Sequence, residues 1–137
     1  MTKNPATLRS PRAVFEAQLR AVTGKEWDTV SQFYAEDAVV EQPYAKPQEL
    51  RLVGRGEIER HFAGAAGLPL DMHARDLVVH ETTDPELIVA ECDYDVTVTT
   101  NGRQFTMHNI FVVRVRDGRI VWSRDYHDPT MLALAAG

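Results

Sequence analysis

The chain has 137 residues, of which 44% are hydrophobic and 26% are charged, and its formal net charge is −5. This length suits one domain with a hydrophobic core, and the acidic balance argues against a surface that follows nucleic-acid phosphates. The single cysteine excludes an intrachain disulfide and indicates a reducing compartment, so a cytoplasmic location is expected. The sequence shows neither a secretory signal nor an apolar run that could span a bilayer, so no membrane partner is expected.

The first part of the chain is predicted to be helical. Residues 1–9 are expected to form a flexible tail, and residues 10–137 a single domain. The first helix is expected to begin at Ser10-Pro11, because Ser caps free N–H groups and Pro tolerates the first helical turn, and to end at Gly24. Apolar side chains at helical spacing mark this helix and two more: Phe15, Leu19 and Val22; then Trp27, Val30, Phe33 and Tyr34; then Ile58, His61, Phe62 and Ala65.

The remainder of the chain has the pattern of β-strands. Strands are expected at 38–42, 77–79, 87–99, 103–115 and 119–127, and residues 43–54 are expected to form a long loop. Asn101-Gly102 and Asp117-Gly118 each predict a two-residue hairpin turn, since a type I′ turn needs positive φ at both central positions. These elements predict an α+β fold in which a curved antiparallel sheet wraps round three N-terminal helices on its concave face.

Four segments resemble the SnoaL-like branch of the nuclear transport factor 2-like superfamily, and they occur in the order expected for it. They are FYAEDAVVEQP (33–43), VGRGEIERHF (53–62), TTDPELIVAEC (82–92) and VRDGRIVWSRDYHDP (115–129). The resemblance implies a cone-shaped, ketosteroid isomerase-like fold whose interior pocket binds a small molecule and is closed by the helices. Many members of this superfamily are dimers, so the resemblance also implies a homodimer.

Two chemistries of this superfamily need residues that the chain lacks. Asp125 matches an acid of limonene epoxide hydrolase, but Cys92 and Tyr94 stand where that enzyme completes its water-activating triad. Val40 and Gln42 replace its Tyr and Asn water ligands. Gln42 also stands where ketosteroid isomerase has its Asp base, and an amide cannot shuttle a proton between carbons. The resemblance therefore does not extend to epoxide opening or to steroid isomerisation.

The closest resemblance is to the phenazine-biosynthesis A/B group. The segments VAEC, MHNIFVVRVRDGRI and SRDYHDPTMLALAAG resemble the C-terminal half of that group. There, a helix His and a strand Glu are acid–base groups in the pocket, and those positions correspond to His61 and Asp125. A Ser that follows the His by one helical turn is replaced here by Ala65. The resemblance implies a cofactor-free enzyme of secondary metabolism with His61 and Asp125 as its catalytic residues.

The alternation of the last strand bears on the role of Asp125. It places Val121, Ser123, Asp125 and His127 on one face and Ile120, Trp122, Arg124 and Tyr126 on the other. Arg124 therefore points away from Asp125 and cannot neutralise it. Asp125 is then either a solvent-facing acid near a strand end or a pocket carboxyl with a raised pKa, suited to acid–base catalysis. His61, on an apolar helix face, is either a hydrogen-bonded core residue or a proton carrier.

Further side chains are predicted to contact the ligand. They are Tyr94, Asn109, Gln42, Met107, Ser123, His127, Phe15, Trp27 and Phe62. The alternative is ordinary packing for Tyr94 and the apolar residues, and a polar residue at a strand end for Gln42. Counting residue pairs from the Asp117-Gly118 turn sets Asn109 opposite Tyr126, on the face of the sheet away from Asp125. A β-bulge between 109 and 115 would place Asn109 on the same face as Asp125. No metal site is expected, because the five His residues form no closely spaced ligand pair, and no motif indicates a cofactor.

Two hypotheses about function follow from these observations. In the first, the protein is an enzyme that isomerises, cyclises, condenses or dehydrates an apolar cyclic metabolite. In the second, it is a non-catalytic ligand-binding or dimerisation module of the same fold. A homodimer is expected through the convex sheet face, which is predicted to carry too much apolar surface to remain in water. The residues assigned to that face are Phe111, Val113, Val115, Ile120 and Trp122.

Overall fold

The computed structural model describes residues 10–129, so the tail predicted at 1–9 lies outside the described residues, as do residues 130–137. Within that range the helices are α1 (Pro11–Thr23), α2 (Trp27–Val30) and α3 (Arg55–Ala65). The strands are β1 (Tyr34–Gln42), β2 (Leu50–Val53), β3 (Leu70–Glu81), β4 (Leu87–Val98), β5 (Gln104–Arg116) and β6 (Arg119–His127). None of the helices in residues 10–129 is long and apolar enough to cross a membrane.

The six strands seen within residues 10–129 form one curved sheet in the order β2-β1-β6-β5-β4-β3. The helices pack on its concave face, which confirms the predicted α+β class. Neighbouring strands are antiparallel except for β1 and β6, which run parallel. The sequence prediction of an antiparallel sheet is therefore corrected at this one pair, where no hairpin turn sets the relative direction of the strands.

The core lies between the helices and the concave face of the sheet. Phe15 of α1 is 2% exposed, and its ring centroid lies 5.2 Å from that of Phe111 on β5. Ile58 of α3 is fully buried. The Arg55 guanidinium donates to the Tyr34 carbonyl through Nε at 3.0 Å and Nη2 at 2.6 Å, which ties the start of α3 to the start of β1. This packing sets where α3 presents its side chains to the sheet.

Several predicted elements have different bounds in the structure. The second predicted helix is only four residues long and continues as a 3₁₀ turn, Ser31–Phe33, because Tyr34 already pairs with Ile120 of β6. The predicted loop at 43–54 contains β2, which pairs with β1. The predicted strand at 77–79 is part of the longer β3. Sheet pairing overrides local sequence preference in each case. β2 and β3 are the two edge strands, and β3 carries many exposed polar side chains that hide its strand pattern.

The two predicted hairpin turns have different outcomes. Asp117 and Gly118 have φ values of 53° and 76°, as a type I′ turn requires, so that prediction is confirmed. At the other turn only Gly102 has a positive φ, 73°, and β4 and β5 are joined over Thr99–Arg103. The two-residue turn predicted at Asn101-Gly102 is therefore wrong, and a longer loop takes its place.

A β-bulge in β6 changes which residues face the core. Arg114 pairs with Trp122 while Val115 pairs with Ile120, so Val121 is an extra residue on β6. From Trp122 onward, each β6 residue pairs with a β5 residue one position away from the partner that the sequence prediction gave it. For example, Phe111 pairs with Asp125 and not with Arg124. Phe111, Val113, Val115 and Ile120, assigned from the sequence to the convex face, are therefore buried on the concave side. Of that predicted set, Trp122 alone lies on the outer face, where its indole N–H donates to Glu41 at 2.8 Å.

Candidate active site on the concave face

The inward side chains of β4, β5 and β6 form rows across the concave face. The rows are Ala90, Phe111 and Asp125; then Cys92, Asn109 and His127; then Tyr94 and Met107. The register created by the bulge places Asn109 opposite His127. Asn109 therefore lies on the same face of the sheet as Asp125, in contrast to the position obtained by counting pairs from the turn. The anticipated bulge is present, but its extra residue belongs to β6. Asp125 is consequently one row away from His127, in a surface that is otherwise mainly apolar.

A cavity of about 540 Å³ lies between these rows and helices α1 and α3. Eight of the side chains predicted from the sequence line it: Asp125, His61, Tyr94, Gln42, Met107, His127, Trp27 and Phe62. Asp125 and His127 come from β6, Gln42 comes from the neighbouring β1, and His61 and Phe62 come from the facing helix α3. The fold therefore brings both acid–base candidates, Asp125 and His61, to one cavity.

Three of the predicted ligand-contacting residues do not line this cavity. Phe15 is a core residue that packs against Phe111. Ser123 is 3% exposed and lies in the row below Asp125, between Val113 and Val40. Asn109 is 3% exposed and reaches the cavity only through its hydrogen bond to His127. These three placements follow from helix packing and sheet register, which the sequence pattern does not specify.

Asp125 has the electrostatic setting of a proton-transfer group. Removal from water raises the pKa of its carboxyl from 3.8 to about 7, because burial in the apolar cavity disfavours the anion. The Ser123 hydroxyl partly offsets this rise in pKa. Arg124 points to the outer face and donates to Glu41 at 3.1 Å, so it does not neutralise Asp125, as the strand alternation predicted.

Two tyrosines, Tyr34 and Tyr94, lie close enough to Asp125 for its negative charge to raise their pKa values. Burial first, and the nearby carboxylate second, raise the pKa of the Tyr34 hydroxyl well above its usual value. Burial, with Cys92 and Asp125, does the same to the pKa of Tyr94. Both phenols therefore stay protonated at neutral pH and can serve as hydrogen-bond donors.

Tyr34 and Gln18 were missed by the sequence analysis as site residues. The Gln18 side-chain amide donates to the Tyr34 hydroxyl at 3.2 Å, and Gln18 itself lines the cavity. Tyr34 had been assigned to a helix by its apolar spacing, and Gln18 lies beside the apolar stripe of α1. A buried tyrosine at the end of such a stripe is the one signal that could have suggested a polar partner nearby.

The cavity also contains a pair of histidines. Burial lowers the pKa of His61, and burial together with the proximity of His61 lowers that of His127 to about 4. His127 bonds through Nδ1 to Asn109 Oδ1 at 2.7 Å. Both imidazoles are therefore neutral at pH 7 and can each present a lone pair. The site can accept or donate a proton at Asp125. Neutral donors and acceptors lie beside it, and Arg60 of α3 is a basic side chain in the lining of the same cavity.

The sequence family of SnoaL-like domains matches residues 15–123, which span most of the strands and helices described above. The chain belongs to this family. An uncharacterized PhzA/B-like protein of Pseudomonas aeruginosa is 34% identical over 94 residues, which are 68% of this chain and 66% of that relative. The match to the SnoaL-like family and this relative confirm the predicted superfamily and the resemblance to the phenazine A/B group.

Solved structures show the same SnoaL-like architecture. A candidate isomerase from Bacillus subtilis superposes with a TM-score of 0.82 at 25% identity, over 94% of this chain and 96% of that one. A phenazine biosynthesis-related protein from Pseudomonas aeruginosa superposes with a TM-score of 0.71 at 16% identity, over 91% and 82%. At 16% identity, the similarity to the phenazine biosynthesis-related protein shows a shared fold and nothing more.

Proposed function

We propose that this SnoaL-like protein is a cofactor-free acid–base enzyme, of the isomerase, cyclase, condensing or dehydrating type, acting on an apolar cyclic metabolite. The observation that carries the proposal is the Asp125 carboxyl, which lines an apolar cavity and has a pKa of about 7. A group with such a pKa is present in both protonation states near neutrality, which is the condition for efficient general acid–base catalysis.

The other side chains supply complementary roles in this proposal. The protonated phenol of Tyr94, which lines the cavity, would donate a hydrogen bond to an oxygen on which negative charge develops. His61, neutral and facing the same cavity from α3, would exchange a second proton with the substrate. Trp27 and Phe62, with ring centroids 6.2 Å apart, offer an apolar wall for a ring of the ligand. Asp125 would thus move the proton while a neutral donor stabilises the product of its removal.

Occupation of the cavity can be tested before the substrate is known. Ala65→Phe places a ring in the cavity lining, whereas Ala63→Phe adds the same ring at an exposed position of the same helix. In a thermal-shift screen of cyclic metabolites, we expect a ligand that raises the Tm of the wild type and of Ala63→Phe, because binding the folded state alone stabilises it. The shift should be lost in Ala65→Phe. An equal shift in both variants would place binding elsewhere.

The non-catalytic binding module remains the second candidate. It is favoured by the absence, among residues 10–129, of any hydrogen bond or ion pair joining Asp125 to His61. A ligand identified by the screen separates the two candidates when it is incubated with stoichiometric protein and followed by mass spectrometry and NMR. Conversion supports the enzyme, and tight binding of unchanged ligand to fully folded protein supports the module.

We also propose a homodimer through the outer face of the sheet, with a different set of residues from that predicted. Val78 and Ile110 are 48% and 45% exposed there, and both flank Glu91 in the sheet register. Ile110→Glu is expected to shift the species seen by light scattering at micromolar concentration from dimer to monomer. Ala63→Glu, at an exposed position of α3 on the other side of the sheet, serves as control. A monomeric wild type would contradict the proposal.

The cellular setting is proposed from the cysteine. Cys92 is buried between β3 and β5, and burial raises the pKa of its thiol to about 11, so it stays protonated. A small buried thiol with no disulfide partner suits a reducing compartment. We therefore propose a cytoplasmic location.

A further inference from the structure

The side-chain amide of Asn109 has one orientation that satisfies its surroundings. Its Nδ2 group donates to the Cys92 carbonyl at 3.2 Å and to the Met107 carbonyl at 3.3 Å. The reversed amide would set its oxygen against both carbonyl oxygens, which can only accept, so that orientation is excluded. Asn109 Oδ1 therefore points to His127 Nδ1, 2.7 Å away.

This amide orientation selects the tautomer of His127. An amide oxygen only accepts hydrogen bonds, so the proton between the two side chains belongs to His127 Nδ1. Burial and the proximity of His61 keep the ring neutral at pH 7, because they lower its pKa to about 4. In a neutral imidazole with Nδ1 protonated, Nε2 carries an unshared lone pair.

The lone pair is available to a ligand. His127 lines the cavity next to Asp125, and no other residue in the described range hydrogen bonds to its Nε2. The ring is held from a second direction by Phe111, edge to face at 5.5 Å between centroids. The titratable groups around it include His61 and Arg60 from α3, Asp125 on its own strand, and Cys92 and Tyr94 on β4.

We propose that Asn109 and His127 form a fixed hydrogen-bond acceptor in the cavity, which selects ligands that carry a hydroxyl or N–H group beside an apolar ring. Asn109 is the positioning residue, and His127 Nε2 is the atom that contacts the ligand. An ether or hydrocarbon of the same shape would leave this buried acceptor without a partner. This inference goes beyond the proposed reaction, since it specifies the ligand whether or not the protein is catalytic.

The tautomer can be measured on the free protein. Long-range ¹H–¹⁵N spectra of histidine-labelled protein at pH 7 should show His127 with a protonated Nδ1 and a bare Nε2. Assignment comes from loss of that signal in His127→Phe, which keeps a ring against Phe111. In Asn109→Leu the acceptor for Nδ1 is removed, and we expect the proton to shift toward Nε2. A wild-type His127 that is charged, or that carries its proton on Nε2, would overturn the proposal.

The ligand selectivity is tested with a matched probe pair, 2-naphthol and 2-methoxynaphthalene, which differ in the ability to donate. We expect wild-type protein to bind the naphthol about 10-fold more tightly or better, and His127→Phe to bind both equally. His108→Phe, exposed on the outer face, serves as control. Equal affinity of the two probes for wild type, including failure to bind either, would refute the acceptor role. Neither measurement requires turnover, so a failed catalytic proposal would leave both results interpretable.

Discussion

Replacement of Asp125 by Asn is expected to lower turnover of a true substrate by about 10²-fold or more, the usual scale for loss of a general acid or base. Asn keeps the shape and the hydrogen-bonding capacity of the side chain but cannot titrate. Since the carboxyl in the cavity has a pKa of about 7, it alternates between its two forms near neutrality, and the amide cannot. Ligand affinity should change little.

The kinetic comparison needs a matched control and a pH profile. Asp37→Asn makes the same chemical change at an exposed position of β1 and should leave turnover unchanged. In the wild type, the rate at saturating substrate should change through about pH 7, and that transition should vanish in Asp125→Asn. Full turnover by the Asn variant, with folding verified by circular dichroism, would remove Asp125 from the mechanism.

The second large effect concerns stability, and it can be measured without any ligand. The pKa of Asp125 is about 7 in the folded protein and 3.8 ordinarily, so the folded state binds more protons between those values. The stability contributed by the protonated carboxyl is full below pH 3.8 and is lost as pH rises to about 7. The Asn side chain does not ionise, so Asp125→Asn does not lose stability in this way. Its free energy of unfolding relative to that of the wild type should therefore increase with pH.

The magnitude follows from the free energy associated with a pKa difference. Each pH unit corresponds to about 1.4 kcal/mol, which sets an upper limit of about 4 kcal/mol over this window. Because the side chain is half-buried, we expect Asp125→Asn to gain about 2 kcal/mol relative to wild type between pH 4 and pH 8. Urea unfolding at these pH values measures the difference. A constant difference across the range would show that the carboxyl is not desolvated.

His127 provides a check on the sign. Its pKa is lowered from 6.5 to about 4, so the unfolded chain binds more protons in that window and stability is lost as pH falls through it. In wild-type protein the Asp125 and His127 contributions oppose each other between pH 4 and pH 6.5. In Asp125→Asn the opposing Asp125 contribution is gone while the His127 contribution remains, so the stability of that variant should rise more steeply with pH over the same range.

The architecture could be predicted from the sequence wherever the local preference of a segment is the same as its conformation in the folded protein. The Ser10 side chain accepts from the Ala13 N–H at 3.1 Å, as the Ser-Pro start predicted, and α1 ends one residue before Gly24. Asp117-Gly118 forms the predicted turn because few other dipeptides tolerate positive φ at both positions. Agreement of these local signals with the apolar periodicity is what made the fold class predictable.

The site could be predicted only in part, because the register between strands decides which side chains line the cavity. Strand alternation near the end of β6 correctly separated Asp125 from Arg124, and helix periodicity placed His61 and Phe62 on the side of α3 that faces the cavity. The same alternation, extended back across Val121, put Phe111 on the wrong face. A single extra residue in one strand reverses every side chain beyond it, and nothing in the run of β-branched and apolar residues marks where it falls.

The residues alone therefore establish the fold class and the superfamily and predict two acid–base candidates, because these rest on local turns, periodicity and motifs. The tertiary structure was needed to place Phe15 in the core, to bring Tyr34 near Asp125 and to pair Asn109 with His127. These relations join segments far apart in the chain. They depend on the parallel β1–β6 pairing and on the bulge, both of which arise from long-range strand contacts and not from local preference.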